Sequence, residues 1–186
     1  LKKENKECRL FIIGDGVEKS NLERICTEEG LTHGNFTNTE ERTFDVVFFG
    51  YQKNPIKYLA HADLFICSSV TEGFGNSIVE AMAAGIAVLS TDCPWGPRSI
   101  LGGIKRQDGP YMGISEPEYT RCGILMPMLN SSVSFQSWKT VIERIMHDKD
   151  LSKEIVDGAN DRLTAFTKEK LSLEWASVIS QYVLSK

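Results

Sequence analysis

Short apolar runs alternate with polar, glycine-bearing stretches over the first two thirds of the chain. Runs of this kind are typical of buried strands in a parallel sheet. Five of them occur, at 9–14, 46–50, 64–69, 87–90 and 123–127. Loops or helical patterns separate successive runs. This alternation predicts an α/β fold, in which helices cover both faces of a parallel sheet in three layers.

The stretch Thr71–Thr91 forms the centre of this pattern. A polar loop and a compact, mostly apolar helix lie there between two of the apolar runs, which predicts a strand–helix–strand unit. Asn76 or Ser77 is expected to cap the start of the helix, and Gly85 suits the position just past its end. Ligands of open α/β sheets bind outside the carboxyl ends of the strands. We therefore expect a ligand at the loop Val70–Asn76.

Two acidic residues stand in this unit, Glu72 in the loop and Glu80 in the helix. The free N–H groups at the start of the helix favour an anion, and the carboxylates can accept hydrogen bonds from hydroxyl groups. Together they suggest a sugar nucleotide as ligand. Two structural interpretations stay open: Ser77 and Glu80 fit a helix capping box, and Glu72 fits an ordinary solvated loop residue.

The segment Glu72-Gly-Phe-Gly-Asn-Ser-Ile-Val-Glu80 resembles the E-x7-E motif of retaining glycosyltransferases of family 4. Further blocks resemble the C-terminal half of that family in the same order; they are IIGDG (12–16), VVFFGYQKNP (46–55), ADLFICSS (62–69), STDCPWGPRSIL (90–101) and CGILMP (122–127). The resemblance implies the GT-B fold, in which two Rossmann-like halves face each other across a cleft. This chain would be the half that binds the donor nucleotide.

The resemblance also implies roles for individual residues. Glu80 would bind the ribose hydroxyls, and Glu72 would be the catalytic residue, which holds a sugar hydroxyl and places negative charge near the developing oxocarbenium ion. Backbone N–H groups at the start of the helix would hold the diphosphate. The nucleotide-sugar-binding residues on this interpretation are Phe74, Gly75, Asn76, Ser77, Ile78, Glu80, Tyr51 and Gly16.

Alternatives accompany three of these assignments. Tyr51 also fits an ordinary strand-to-helix turn. Arg98 is a candidate phosphate contact, and an ion pair at the surface is slightly favoured over it. Gly14 and Gly16 also suggest a dinucleotide site, but Lys19 stands where the third glycine of that fingerprint belongs, which disfavours an NAD-dependent dehydrogenase.

The resembled family has six strands in this half, in the spatial order 3-2-1-4-5-6, and the five apolar runs match all but the first. That strand and its helix, with the Arg and Lys that they supply to the diphosphate, are expected to be absent, as is the N-terminal half that binds the acceptor. The second and fourth strands would then face a gap. They would close up, accept a strand of another chain, or leave an open, aggregation-prone edge.

Composition sets outer limits on function. The chain has 186 residues, which predicts one domain over 1–186, with helices at 134–184 that pack on it or on a missing N-terminal domain. A net charge of −4 argues against nucleic acid as a partner. The five cysteines form no C-x-x-C pair, and we expect a reducing, cytoplasmic location. For the full-length protein, this expectation includes a place at the inner face of a membrane.

The sequence therefore predicts a glycosyltransferase domain that uses a UDP-hexose or UDP-N-acetylhexosamine as donor for retaining transfer to a glycan or lipid-linked acceptor. It needs no metal or other cofactor on this interpretation, because the helix dipole and cationic side chains neutralise the diphosphate. The fragment alone is expected to be inactive. The alternative is a noncatalytic domain that binds a nucleotide sugar or another protein.

Overall fold

The computed structural model describes residues 8–36, 43–104, 111 and 113–183. The chain divides into two compact units, Leu1–Pro55 and Ile56–Lys186. Both contain parallel strands and helices, so the predicted α/β class is confirmed. The expectation of a single domain over 1–186 stays a prediction.

The first unit is a small parallel sheet with one helix. Its elements are β1 (Leu10–Ile13), α1 (Lys19–Glu28), β2 (His33–Asn35) and β3 (Val46–Gly50). The strand order is β1-β3-β2, and the side chains of β3 pack with Cys26 of α1 to form a small core. None of the five apolar runs of the sequence predicted β2, which forms because its backbone pairs with β3.

The second unit holds a four-stranded sheet. The strand order is β4-β5-β7-β6, and β4, β5 and β7 run parallel. Its elements are α2 (Ile56–Leu59), β4 (Leu64–Cys67), α3 (Asn76–Ala83), β5 (Ala87–Thr91), α4 (Pro97–Leu101), β6 (Glu118–Thr120), β7 (Gly123–Met126), α5 (Ser132–His147), α6 (Lys149–Leu163), a 3₁₀ turn (Thr164–Phe166) and α7 (Lys168–Val183). Helices α5 and α6 pack on β5 and β7 to form the larger core.

Strand β6 also lies outside the five apolar runs of the sequence. Glu118–Thr120 pairs antiparallel with β7, and the hydroxyl group of Thr120 donates a hydrogen bond to the carbonyl of Gly123 at 2.8 Å. The strand is three residues long, too short for an alternating pattern to reveal it in the sequence.

Strands β1 and β4 are less buried than their apolar sequences suggest. Each pairs with one other strand in the described part of the chain. Leu10 is 48% exposed and Ile66 is 38% exposed. The expectation that both strands are fully buried is therefore wrong, because an edge strand has a neighbour on one side only.

The three long helices differ in burial. The apolar stripe of α5 contributes Trp138 and Ile145 to the core, and the indole N–H of Trp138 donates to the carbonyl of Pro127 at 2.8 Å. Phe135 lies on the same helix but is 60% exposed. Helix α7 has no buried residue, and its Trp175 is 66% exposed, so its apolar stripe is not part of this core.

Candidate functional site

Helix α3 starts at a glycine without a side-chain cap. Gly75 is the N-cap, with a left-handed φ of 97°, and its carbonyl accepts the N–H of Ile78 at 3.0 Å. Asn76 and Ser77 are the first two helical residues, so the expected cap at either position is wrong. The capping box of Ser77 with Glu80 is wrong for the same reason, since that motif requires the serine at the N-cap.

The start of α3 leaves backbone donors available. Among the described residues, no group accepts a hydrogen bond from the backbone N–H of Gly75, Asn76 or Ser77. Free N–H groups at a helix start, together with the positive end of the helix dipole, favour an anion. This part of the predicted diphosphate site is geometrically available.

The carboxylate of Glu72 is oriented by its surroundings. The hydroxyl group of Ser69 donates a hydrogen bond to Glu72 Oε1 at 2.7 Å, and the thiol of Cys67 approaches the same oxygen at 3.8 Å. The backbone N–H of Glu72 donates to the carbonyl of Pro94 at 3.4 Å. Glu72 is half-buried, so the interpretation of a freely solvated loop residue is wrong.

Sequence reasoning missed Ser69. Its position between the end of β4 and the loop that carries Glu72 is the one signal that could have identified it. Its backbone carbonyl accepts a hydrogen bond from the hydroxyl group of Thr91, a buried residue at the end of β5. Strand β5 thereby holds Ser69 in place, and Ser69 holds Glu72.

Buried thiols lie close to this carboxylate. Cys67 and Cys93 are 6% and 1% exposed. Burial raises the pKa of the Cys93 thiol above its ordinary value, and the negative charge of Glu72 raises it further, although a hydrogen bond with Thr91 lowers it. Cys93 is therefore a neutral thiol at physiological pH and contributes no charge to the site.

Glu80 projects from α3, eight residues after Glu72. It is half-buried, and its carboxylate accepts no hydrogen bond from any residue that the structure describes. A half-buried carboxylate without such donors can accept hydrogen bonds from ligand hydroxyl groups. The geometry therefore leaves Glu80 available for the predicted role.

Arg98 forms an ion pair, but in the interior rather than at the surface. Its guanidinium binds the Asp92 carboxylate through two hydrogen bonds of 3.0 and 2.6 Å, and it also binds Glu118 at 2.7 Å and the carbonyl of Ile104 at 2.8 Å. Burial alone would lower the pKa of Arg98, but the two carboxylates outweigh it and the pKa is raised. Four of its five N–H donors are thus engaged, which disfavours the phosphate contact.

The remaining predicted residues, Gly16 and Tyr51, belong to the first unit. The backbone N–H of Gly16 donates to Asp15 Oδ1 at 2.9 Å, and Tyr51 is 79% exposed. The structure brings Glu72 and the start of α3 together within the second unit, where Phe74 packs edge-on against Phe166. Contacts of Gly16 and Tyr51 with a nucleotide stay predictions.

The described residues contain neither a candidate metal site nor a candidate membrane span. No group of three or more His, Cys, Asp and Glu side chains in this part of the chain is arranged to hold a metal ion. None of its helices is both long enough and apolar enough to cross a membrane.

Sequence comparisons give consistent matches. The family model described as "Glycosyl transferases group 1" matches residues 1–112. An uncharacterized glycosyltransferase of Methanocaldococcus jannaschii is 32% identical over 92% of this chain and 41% of its own length. The N-acetylgalactosamine-N,N'-diacetylbacillosaminyl-diphospho-undecaprenol 4-alpha-N-acetylgalactosaminyltransferase of Campylobacter jejuni is 31% identical over 89% of this chain and 37% of its own length. The chain thus spans about two fifths of the length of these relatives.

Solved structures show the same fold. HepE of Anabaena in complex with UDP matches 94% of this chain and 41% of its own, with a TM-score of 0.69 and 20% sequence identity. TarM matches 94% of this chain and 29% of its own, with a TM-score of 0.67 and 20% identity. At this identity the likeness establishes the fold, and it confirms the predicted Rossmann-like layers.

Proposed function

Because the chain belongs to the family Glycosyl transferases group 1, we propose that it is the donor-binding part of a longer, retaining glycosyltransferase of family 4. The observation that carries the proposal is the placement of Glu72 beside an uncapped helix start, with Glu80 farther along the same helix. The E-x7-E spacing thus has a three-dimensional counterpart: one carboxylate is held in place and the other is free to bind a ligand.

The donor is a UDP-sugar, either a UDP-hexose or a UDP-N-acetylhexosamine. Backbone N–H groups from Phe74 to Ser77 bind the diphosphate and stabilise the charge that develops on it as the glycosidic bond breaks. The N–H of Ile78, which the sequence also assigned to this site, donates to the carbonyl of Gly75 instead. Glu80 accepts hydrogen bonds from the ribose hydroxyls. Glu72 accepts a hydrogen bond from a sugar hydroxyl and stabilises the positive charge that develops on the sugar. The matched HepE structures are complexes with UDP and with UDP-glucose, which supports this choice of donor.

The acceptor is a glycan or a lipid-linked glycan, bound by the N-terminal half of the longer protein. Two relatives support this class: the Campylobacter jejuni enzyme is named for a diphospho-undecaprenol substrate, and LpsE of Rhizobium meliloti for lipopolysaccharide core biosynthesis. An acceptor of this kind would place the full-length enzyme in the cytoplasm, at the inner face of the membrane.

Calorimetric titration of single variants with UDP and with UDP-glucose tests the two glutamate roles. Glu80→Ala should weaken the binding of both ligands about equally, because both contain the ribose. Glu72→Ala should weaken UDP-glucose binding by about tenfold while UDP binding changes little, since one hydrogen bond to a charged group contributes about 1.5–3 kcal/mol. Glu154→Ala, an exposed position on α6, is the matched control and should change neither affinity. Equal losses for both ligands in both glutamate variants would contradict the assignment.

A further inference from the structure

Trp95 adopts a backbone conformation that large side chains rarely adopt. Among the described residues it is the one non-glycine residue with positive φ, at 65°. This left-handed region suits glycine and, less well, asparagine, whereas a bulky residue there is a true outlier. Such outliers persist where the surrounding structure enforces them, and they cluster at functional sites.

The residues on both sides of Trp95 are fixed. Asp92 and Cys93 are 0% and 1% exposed, and the Asp92 carboxylate is bound by Arg98. After Trp95, the buried Pro97 begins α4. The loop is therefore anchored at both ends, and the backbone of Trp95 has no freedom to relax by moving the loop.

Packing of the indole does not offset this strain. Trp95 is 77% exposed, whereas Trp138 in the core is 4% exposed. An exposed indole in an anchored, strained loop is a pre-organised apolar surface. Folding gains little from this side chain, and its exposed face is available to a ligand.

Both neighbours of Trp95 contact the loop that carries Glu72. The carbonyl of Pro94 accepts the N–H of Glu72, and Gly96 lies so close to Phe74 that a Cβ on this glycine would be 2.0 Å from the Phe74 carbonyl oxygen. Trp95 therefore stands beside the segment to which the proposed function assigns the sugar of the donor.

We propose that Trp95 is a stacking platform for the pyranose ring of the donor sugar. A pyranose presents hydroxyl groups at its rim and C–H groups on its faces. Carboxylates such as Glu72 bind the rim, and the flat apolar surface of an indole packs against a C–H face. The inference rests on the proposed function and extends it, since it assigns a binding contact for the sugar outside the E-x7-E segment.

The test compares ligand affinities of Trp95 variants of the 186-residue chain. UDP, UDP-glucose and UDP-N-acetylglucosamine are titrated by calorimetry into the wild type, Trp95→Phe and Trp95→Asn. Trp95→Asn should weaken the tighter-binding UDP-sugar by about tenfold, or about 1.4 kcal/mol, and change UDP affinity less than twofold. Trp95→Phe should keep most of the sugar affinity, because it keeps an aromatic face. Trp175→Asn replaces an exposed indole on α7 and should change no affinity.

Thermal unfolding of the same variants separates binding from stability. Asparagine tolerates the left-handed region, so Trp95→Asn should unfold at the same temperature as the wild type or higher. A lower unfolding temperature would show that the indole stabilises the fold, and it would overturn the inference. Equal weakening of UDP and the UDP-sugars, or no weakening of either, would also overturn it while leaving the proposed function in place. A wild type that binds none of the three ligands would overturn the proposed function and this inference with it.

Discussion

At the scale of single residues, Ser69 is the clearest addition to the predicted site. A carboxylate that stabilises developing charge must hold its orientation, and here one hydroxyl group supplies the short hydrogen bond of 2.7 Å to Glu72 Oε1. The carbonyl of Ser69 is itself held by Thr91. On the proposed function, Ser69 is thus a candidate positioning residue, which would act on the sugar through Glu72.

Replacing Ser69 with alanine should reduce the discrimination between UDP-glucose and UDP. Without the hydroxyl group, Glu72 loses a hydrogen bond to a charged acceptor, which contributes about 1.5–3 kcal/mol. We expect UDP-glucose to bind about tenfold more weakly, and UDP to bind as before. Calorimetry with both ligands measures the change.

Three further variants control this experiment. Ser69→Thr keeps the hydroxyl group and should restore most of the affinity. Ser68→Ala removes the exposed neighbouring serine and should have no effect. In the Glu72→Ala background, Ser69→Ala should add nothing, because the two act as a unit. Additive losses in the double variant would mean that Ser69 acts independently of Glu72.

At the scale of secondary structure elements, Gly158 decides how α6 packs. A Cβ at this position would lie 2.0 Å from the backbone oxygen of Arg121, in the turn between β6 and β7. Alanine normally stabilises a helix interior relative to glycine by about 1 kcal/mol. At Gly158 the close contact should reverse that sign.

Gly158→Ala should therefore destabilise the protein by about 1–3 kcal/mol, the usual cost of overpacking. Urea unfolding followed by circular dichroism gives the free energy of unfolding. Asn160→Ala, an exposed site on the same helix, is the control and should be neutral or stabilising by a few tenths of a kcal/mol. If Gly158→Ala raised the free energy of unfolding as well, α6 would not pack against that turn as closely as the structure shows.

The Arg98 ion pair joins the end of β5, α4 and β6. Its Asp92 partner has a side chain that is 1% exposed, and Arg98 itself is 14% exposed. Arg98→Met would leave the Asp92 carboxylate buried without its cation. We expect a loss of about 3–5 kcal/mol in the free energy of unfolding.

The chain offers a matched comparison for this loss. Arg121 pairs with Asp161 at the surface, where the two side chains are 74% and 64% exposed. Arg121→Met should change stability by less than about 1 kcal/mol. Similar unfolding free energies for the two methionine variants would show that the Arg98 pair is solvated and does not stabilise the fold.

At the scale of the whole molecule, the 186-residue chain represents about two fifths of the length of the relatives that it matches. Transfer requires donor and acceptor to be held together, and orientation of this kind can be equivalent to effective molarities of about 10⁵ M or more. One exposed helix start contributes only about 0.3–1 kcal/mol toward an anion. This is far below the barrier lowering of about 8 kcal/mol or more that enzymes supply.

We therefore expect the 186-residue chain to bind a UDP-sugar weakly and to transfer no sugar. A radiolabelled UDP-sugar assay with the purified chain, scored for transfer and for hydrolysis, measures this. Restoring the remaining part of the longer protein should produce acceptor-dependent transfer, whereas a noncatalytic domain would stay inactive. Transfer by the 186-residue chain alone, at a rate typical of enzymes, would contradict the expectation.

Local patterns in the sequence determined most of the strands of this protein and the position of its candidate site. The five apolar runs predicted the strands β1, β3, β4, β5 and β7, because burial in a sheet requires continuous apolar residues over four to six positions. The glycine-bearing loop and the apolar helix after it placed the candidate site, and the spacing of Glu72 and Glu80 put one carboxylate in the loop and one on α3. All of these features depend on residues that are close in sequence.

Tertiary structure decided the features that depend on distant partners. Arg98 could have bound a phosphate or a carboxylate, and it binds Glu118, 20 residues away, because folding brings β6 beside α4. The exposure of β1 and β4 follows from which strands pair, and the strain at Trp95 follows from the anchored ends of its loop. The chemistry of a side chain determines what it can bind, whereas packing determines which partner it meets. A local pattern of a few residues carries no information about that partner.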